Sequence, residues 1–259
     1  MSSYAGRHAE LYDLFYAGKP YAEEAAFVHA CLRKFALFPI RDILELACGT
    51  GRHAFQLEKL GYRMTATDYS PEMLGVARRR ATETGSNVRF VASDMRELQV
   101  PTAGYDAVIC LFDSIGYLQT HEAVNQMFAG VQRALRPDGL FIFEFWHATA
   151  MLSQYSPVRL RRCTVPDGEV LRISETTLDR KDQLASVSYT VYELRNDGTY
   201  STFHETQINR FFFPEEMRTL ISGAGFETLK FYAGFQEDES IDENTWHLVV
   251  VARKAQPSR

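Results

Sequence analysis

Two helical patterns open the chain. Within residues 4–37, Tyr12, Phe15 and Tyr16 recur at helical spacing, and so do Phe27, Val28, Cys31, Leu32 and Phe35. Gly18-Lys19-Pro20 separates the two runs, a stop signal followed by a start signal. From Asp42 short apolar runs alternate with amphipathic ones. Asp42 to Ala47 predicts a buried parallel strand, and Gly51 to Leu60 a helix closed by Gly61. Tyr62 to Asp68 predicts the next strand, after which Ser70-Pro71-Glu72 supplies an N-cap with Pro at the first helical position. Val88 to Ala92, Tyr105 to Phe112 and Gly139 to Phe145 predict three further strands, with a helix from about His121 to Leu135. Strands alternating with helices imply an α/β fold, a doubly wound parallel sheet covered on both faces.

The period changes after Trp146. Ala185, Val187, Tyr189 and Val191 fall on one face of a strand, with Ser186, Ser188 and Thr190 on the other. Turn signals at 166–168, 180–182 and 196–198 divide residues 157–212 into about four antiparallel strands. A helix opened by Pro214-Glu215-Glu216 follows, then strands near Glu227 to Phe235 and Thr245 to Ala252.

Composition narrows the function classes. The 259 residues are 46% hydrophobic and 24% charged, with a net charge of −5. That balance fits a soluble globular chain and disfavours nucleic acid as a partner. The compact basic run Arg78 to Arg80 sits on a predicted helix and reads as a solvated face. Four cysteines (Cys31, Cys48, Cys110, Cys163) show neither metal-ligand nor disulfide spacing, so reduced thiols and a cytoplasmic location are expected, with no metal. No apolar stretch reaches membrane-spanning length, and no apolar leader opens the chain, so neither export nor a membrane partner is expected.

The segment Ile43-Leu44-Glu45-Leu46-Ala47-Cys48-Gly49-Thr50-Gly51 places a strand directly before a Gly-x-Gly turn that opens a helix. Glycines there admit a ligand close to the backbone, and the helix start offers free N–H groups. Asp68 ends the next strand, 17 residues beyond Gly51, where a carboxylate can hold both ribose hydroxyls of an adenosine. A dinucleotide binder uses nearly the same parts, and Gly49-x-Gly51-x-x-Ala54 satisfies its fingerprint too. Three features favour S-adenosylmethionine (SAM). Glu45 at the strand's end suits an ammonium and a sulfonium and would repel a diphosphate. Ser93-Asp94-Met95 offers an acceptor for the adenine amino group and a packing surface for its ring. The chain then ends in a helix and two long strands instead of repeating the βαβ unit.

ELACGTG, TDYSPEML, SDM, YDAVICLFDSIGYL and LRPDGLFIFEF together resemble the ordered motifs of the class I SAM-dependent methyltransferases, with Ala47 where that family often carries its first glycine. The resemblance implies a seven-stranded Rossmann-like sheet with an antiparallel last strand. It implies SAM as cofactor and S-adenosylhomocysteine as product. The cofactor contacts it implies are Glu45, Ala47, Gly49, Gly51 and Arg52 around the turn; Asp68, Tyr69 and Met73 after the second strand; and Ser93, Asp94, Met95, Leu111 and Phe112 beyond the third and fourth. LYDLFYAGKPYAEEA and Gly116-Tyr117-Leu118 resemble a narrower group, the N,N-dimethyltransferases of nucleotide-linked amino sugars, of desosamine and mycaminose type. Here Gly18-Lys19-Pro20-Tyr21 is shorter than the relatives' glycine/lysine segment. This second resemblance implies cofactor contacts from Tyr12, Lys19 and Tyr21, and Tyr16 as the residue that orients the acceptor, with Tyr117 and His147 next. The expected acceptor is a small molecule, a nucleotide-linked amino sugar N-methylated by alignment without a catalytic triad, with O- or N-methylation of another small metabolite as the alternative. The expected organisation is an N-terminal helical lid over 1–40, a SAM-binding core over 41–148 and 213–259, and an antiparallel β insertion over 149–212 that supports substrate and a homodimer. His53 and His204 read as structural or solvent-facing. Asp113 reads as a structural or cofactor-side residue, because Asp113-Ser114-Ile115-Gly116 lacks the Pro-Pro-aromatic ending of nucleic-acid N-methyltransferases.

Overall fold

The computed structural model describes residues 6–255. Two helices come first, α1 (Arg7–Phe15) and α2 (Tyr21–Phe35), separated at the Gly-Lys-Pro break. The part of the first helical pattern assigned to residues 4 and 5 lies outside the described residues. The alternating region follows as β1 (Asp42–Glu45), α3 (Arg52–Lys59), β2 (Arg63–Asp68), α4 (Pro71–Thr84), β3 (Arg89–Ala92), β4 (Tyr105–Cys110), α5 (His121–Ala134) and β5 (Leu135–Trp146). The last part runs α6 (Ala148–Gln154), β6 (Val158–Val165), β7 (Gly168–Asp179), β8 (Leu184–Arg195), β9 (Tyr200–Arg210), α7 (Pro214–Gly223), β10 (Phe226–Ala233) and β11 (His247–Lys254).

Seven strands form one sheet in the order β10-β11-β5-β4-β1-β2-β3, and four form a second in the order β6-β7-β8-β9. In the large sheet β11 runs antiparallel to both β5 and β10, so only this last strand is reversed. The strand order switches direction between β1 and β4, where open α/β sheets bind ligands beyond the carboxyl ends of their strands. Each face of the sheet has its own apolar cluster. One is built from β4, β5, α5 and α7, the other from α2, α3, α4 and the opposite side chains of the same strands. β4 is buried at every position, which accounts for its apolar run from Ala107 to Cys110, and the one charge within it, Asp106, is paired with Arg136.

Local chemistry sets the element ends. Ser70 Oγ accepts the Met73 N–H at 3.2 Å, with Pro71 at the first position of α4, and Thr120 Oγ1 accepts the Ala123 N–H at 3.1 Å to start α5. β1 stops earlier than its apolar run predicts. Ala47 takes φ 49°, which turns the chain out of the strand although Leu46 N–H still reaches the Ile109 carbonyl at 2.9 Å. β5 starts earlier than predicted, because Arg136-Pro137-Asp138-Gly139 is absorbed as an irregularity: the register passes from Tyr105↔Leu135 directly to Ala107↔Leu140. α6 was not predicted. Its seven residues are too few to show a period, and it is held by burial of Ala148, Ala150 and Met151. Among the described residues no helix is long and apolar enough to cross a membrane. All four cysteines are free.

α1 lies between the two sheets. Leu11 and Phe15 pack with Val170 and Val191 of the smaller sheet, while Ala9 and Tyr12 pack with Met73 of α4. Polar ties repeat this division. Asp13 accepts from Thr50 Oγ1 (2.8 Å) and pairs with Arg80, while His8 Nδ1 meets Glu205 Oε2 at 2.6 Å and Arg161 donates to the Phe15 carbonyl.

Candidate active site

A cavity of about 860 Å³ lies at the carboxyl ends of the parallel strands. Its walls come from the turn after β1, the ends of β2 to β4, α1, and the inward face of the smaller sheet. The turn is held open by backbone geometry. Gly49 and Gly51 take φ 55° and 77°, and a Cβ on Gly51 would lie 2.8 Å from the Phe90 ring. Asp68 fixes the turn from the side: Oδ2 accepts the Gly49 N–H at 2.7 Å and Oδ1 the Ser70 N–H at 2.8 Å. Burial pushes its carboxyl above the usual range, and the N–H groups of Ser70, Gly49 and Tyr69 oppose that rise.

The cavity brings together twelve of the residues singled out in the sequence: Tyr12, Tyr16, Ala47, Gly49, Asp68, Tyr69, Met73, Ser93, Asp94, Met95, Phe112 and Tyr117. The Tyr16 ring packs 4.7 Å from Tyr12 and edge-on at 5.0 Å from Phe112. Tyr117 donates from its hydroxyl to Gln207 Oε1 of the smaller sheet at 3.2 Å. Asp94 lines the wall with both oxygens engaged by Arg96, whose guanidinium holds its carboxyl below the usual range.

Seven of the singled-out residues stand outside the lining: Lys19, Tyr21, Glu45, Gly51, Arg52, Leu111 and His147. Lys19 pairs with Glu24, which is buried on the first turn of α2, and its ammonium sits 4.2 Å from the centre of the Phe112 ring. Tyr21 and Arg52 stack on each other, 5.0 Å from guanidinium to ring centre, and Leu111 belongs to the apolar cluster below. Glu45 does not stand where its expected cofactor contact would put it. The carboxylate points into the protein at the start of α3, 2% exposed and 3.8 Å from His53 Nδ1, instead of facing the cavity. Burial first, then the charge of Asp68, raises its pKa to about 8, against the Ala54 N–H that favours the ionised form. His147 is likewise turned away, with Nδ1 2.9 Å from the Thr245 carbonyl, because its bridge to Phe212 commits the backbone there to the seam between β5 and the smaller sheet. Burial lowers its pKa, opposed by that carbonyl.

Asp113, read from the sequence as a structural or cofactor-side residue, lines the cavity in a cluster whose other two members, Glu144 and His247, sequence reasoning missed. His247 Nδ1 lies 2.8 Å from Asp113 Oδ2 and 3.2 Å from Glu144 Oε1, while Glu144 Oε2 accepts the Phe112 N–H at 2.6 Å. Burial disfavours the imidazolium, but the two carboxylates outweigh it and hold the His247 pKa up at about 11. Burial and the charge of Glu144 push Asp113 above its usual range; Glu144 is held below its own by His247 in spite of burial. Phe112 and Asp113 both take left-handed φ, 58° and 55°, a strained pair at the cavity wall. These three side chains also form a set of donors close enough to ligate a metal ion, and the imidazolium supplies the positive charge that the carboxylates require. The signal for Glu144 was present: a lone carboxylate inside the apolar run of β5. His53 and His204 stand as read, one buried against Glu24 at 2.6 Å, the other exposed beside Thr190 at 3.0 Å.

Residues 43–139 match the model of a methyltransferase domain. Over 231 residues the chain is 29% identical to YqeM of Bacillus subtilis (strain 168), which is named only as a methyltransferase, with 89% of this chain and 90% of that protein covered. It is 33% identical over 141 residues to the dTDP-3-amino-3,4,6-trideoxy-alpha-D-glucopyranose N,N-dimethyltransferase of Streptomyces venezuelae, covering 54% of this chain and 57% of that one. The fold is similar to the crystal structure of an S-adenosylmethionine-dependent methyltransferase from Clostridium acetobutylicum ATCC 824, with a TM-score of 0.82 at 21% identity over 96% of this chain and 98% of that one.

Proposed function

Because this chain is a SAM-dependent methyltransferase of class I, its open question is the acceptor, and we propose that it methylates the amine of a small molecule, a nucleotide-linked amino sugar. The observation that carries the reading is the continuity of one cavity from the cofactor turn to the inward face of the smaller sheet. At about 860 Å³ it has room for a second ligand beside the cofactor.

The turn and Asp68 fit the adenosine. Asp68 is placed at the end of β2 to accept ribose hydroxyls, Gly49 presents bare backbone, and Ser93, Asp94 and Met95 form the wall for the base. When bound, SAM supplies an electrophilic methyl carbon on a sulfonium. The rings of Tyr12, Tyr16 and Phe112 surround that end of the cavity and suit a cation with their faces. Displacement at carbon needs the nucleophile in line with the leaving sulfur, and alignment alone can contribute roughly 7–11 kcal/mol. Tyr16 and Tyr117 are the groups that orient the acceptor. Both carry hydroxyls on the cavity wall and both are braced by the smaller sheet, through Arg172 and Gln207. The amine sheds its proton to water or to a weakly basic neighbour, Asp113 being the carboxylate beside Phe112.

The test is to incubate the protein with SAM and dTDP-3-amino-3,6-dideoxyglucose and to follow the acceptor by mass spectrometry. A gain of one or two methyl groups is expected. No gain, with cofactor binding intact, rejects the amino-sugar reading and leaves other small amines or hydroxyls as acceptors.

A further inference from the structure

We propose that the wall contributed by the smaller sheet carries an oxyanion subsite centred on Arg172, and that the acceptor is recognised there through phosphate or carboxylate oxygens. The inference extends the acceptor reading given above, since it names what the far end of the substrate must carry.

Arg172 sits on the inward face of β7 and is only 7% exposed. Its guanidinium lies 4.5 Å from the ring centre of Phe15, 5.0 Å from that of Tyr189 and 5.3 Å from that of Tyr16. Among the described residues its single side-chain hydrogen bond is a long one, 3.4 Å from Nη1 to the Tyr16 hydroxyl, and its Nε is buried without a partner. A guanidinium has five N–H donors, and a buried cation is costly when its donors go unused. The three rings offset part of the charge, but they offer no in-plane acceptors for the fork. Acceptors in that plane have to arrive with a ligand.

The neighbours deepen the imbalance. Arg161 stands directly opposite Arg172 across the β6–β7 ladder, and Arg159, two residues before it, shares the same face; both line the cavity. Like charges facing each other across a ladder repel. Arg161 donates to the Phe15 carbonyl and Arg159 stacks on Trp246, so neither has an acid partner in these contacts. The carboxylates on this face are committed elsewhere, Glu205 to His8 at 2.6 Å and to Gln207 at 2.9 Å, and Glu193 to Arg7. Asn209, on the same wall, leaves a buried amide oxygen without a partner, an acceptor that suits a hydroxyl or N–H of the ligand and not its oxyanion. Three arginines converge here in a chain whose net charge is −5, so overall composition does not explain them. A planar fork matches carboxylate and phosphate oxygens two at a time. Tyr16, touching Phe112 on one side and Arg172 on the other, separates the methyl-transfer end from this anion end.

Titration calorimetry on the protein saturated with S-adenosylhomocysteine tests the proposal, with dTDP, inorganic diphosphate and glycine as probes. The wild type should bind at least one of them. Arg172→Met, which keeps the apolar stem, should weaken that binding by about 10- to 100-fold, as expected for hydrogen bonds to a charged group, and leave S-adenosylhomocysteine affinity unchanged. Arg172→Lys should fall between the two, since it keeps the charge and loses the fork. Binding of dTDP or diphosphate alone identifies phosphate as the source of the oxyanion, and binding of glycine alone identifies a carboxylate. Should Arg172→Met fail to fold, Arg172→Lys and Arg161→Gln carry the same comparison. Equal probe affinity in wild type and variants overturns the proposal, and so does a wild type that binds S-adenosylhomocysteine but none of the three probes. Probe binding that depends on Arg172 without methylation of a dTDP-amino sugar would sink the amino-sugar reading and leave the subsite standing.

Discussion

His247 places Nδ1 2.8 Å from Asp113 Oδ2, joining the first residue of β11 to the strained turn after β4. Its pKa near 11 lies above the ordinary 6.5, so the folded state holds this proton more tightly than the unfolded chain does. The stability it contributes is complete below pH 6.5 and is lost as pH rises towards 11. Unfolding midpoints of the wild type should therefore fall through the alkaline range. His247→Gln should flatten that fall and cost about 1–2 kcal/mol at pH 6, less than a fully buried pair because the imidazole opens on the cavity. Denaturant titrations at pH 6 and pH 9.5 check both statements, and an unchanged slope in the variant would contradict them.

Glu45 makes a second prediction of the same sign by a different cause. Burial raises its folded pKa to about 8, so its contribution is present below about pH 4.5 and lost on the way up to 8. Over that interval the slope is at most about 1.4 kcal/mol per pH unit. Glu45→Gln keeps an acceptor for the Ala54 N–H and removes the charge. The variant should be the more stable protein at pH 9, and thermal melts of the two side by side decide the matter.

Much of the core was legible because its signals are local. The apolar run of β4, the glycines before α3 and the Ser-Pro start of α4 each act within a few residues. The floor of the cavity was not legible in that way. Glu144 and His247 meet only because β11 enters the sheet antiparallel beside β5, and no short-range pattern encodes that pairing. β7 inverts the usual strand pattern for a physical reason. Arg172 and Ser174 are buried while Leu171 and Ile173 are only half-buried, the reverse of the usual alternation, because the inward face of this strand looks into a polar cavity instead of an apolar core. Glu45 was placed on the right strand and given the wrong direction, since the chain turns out at Ala47, two residues beyond it.

Gly51→Ala should damage the turn itself. The new methyl would meet the Phe90 ring in a backbone conformation that already disfavours a side chain. A cost of about 1–3 kcal/mol is expected. Weaker S-adenosylhomocysteine binding should accompany it, read by calorimetry. A variant with native affinity would show that the turn tolerates a side chain.

Tyr16→Phe should separate the two halves of the site. The ring contacts with Tyr12 and Phe112 remain, and the hydroxyl that accepts from Arg172 is lost. Cofactor affinity should hold, while kcat/KM for the acceptor falls about tenfold, the worth of one hydrogen bond. Equal losses in both would mean that the hydroxyl serves the fold and not the acceptor.

The position of α1 ties the two sheets together. One short helix uses Ala9 and Tyr12 against the methyltransferase core, and Leu11 and Phe15 against the smaller sheet. A displacement that lifts Ala9 and Tyr12 off Met73 also pulls Leu11 and Phe15 away from Val170 and Val191. The helix is one latch between the two sheets, and neither side of it loosens alone.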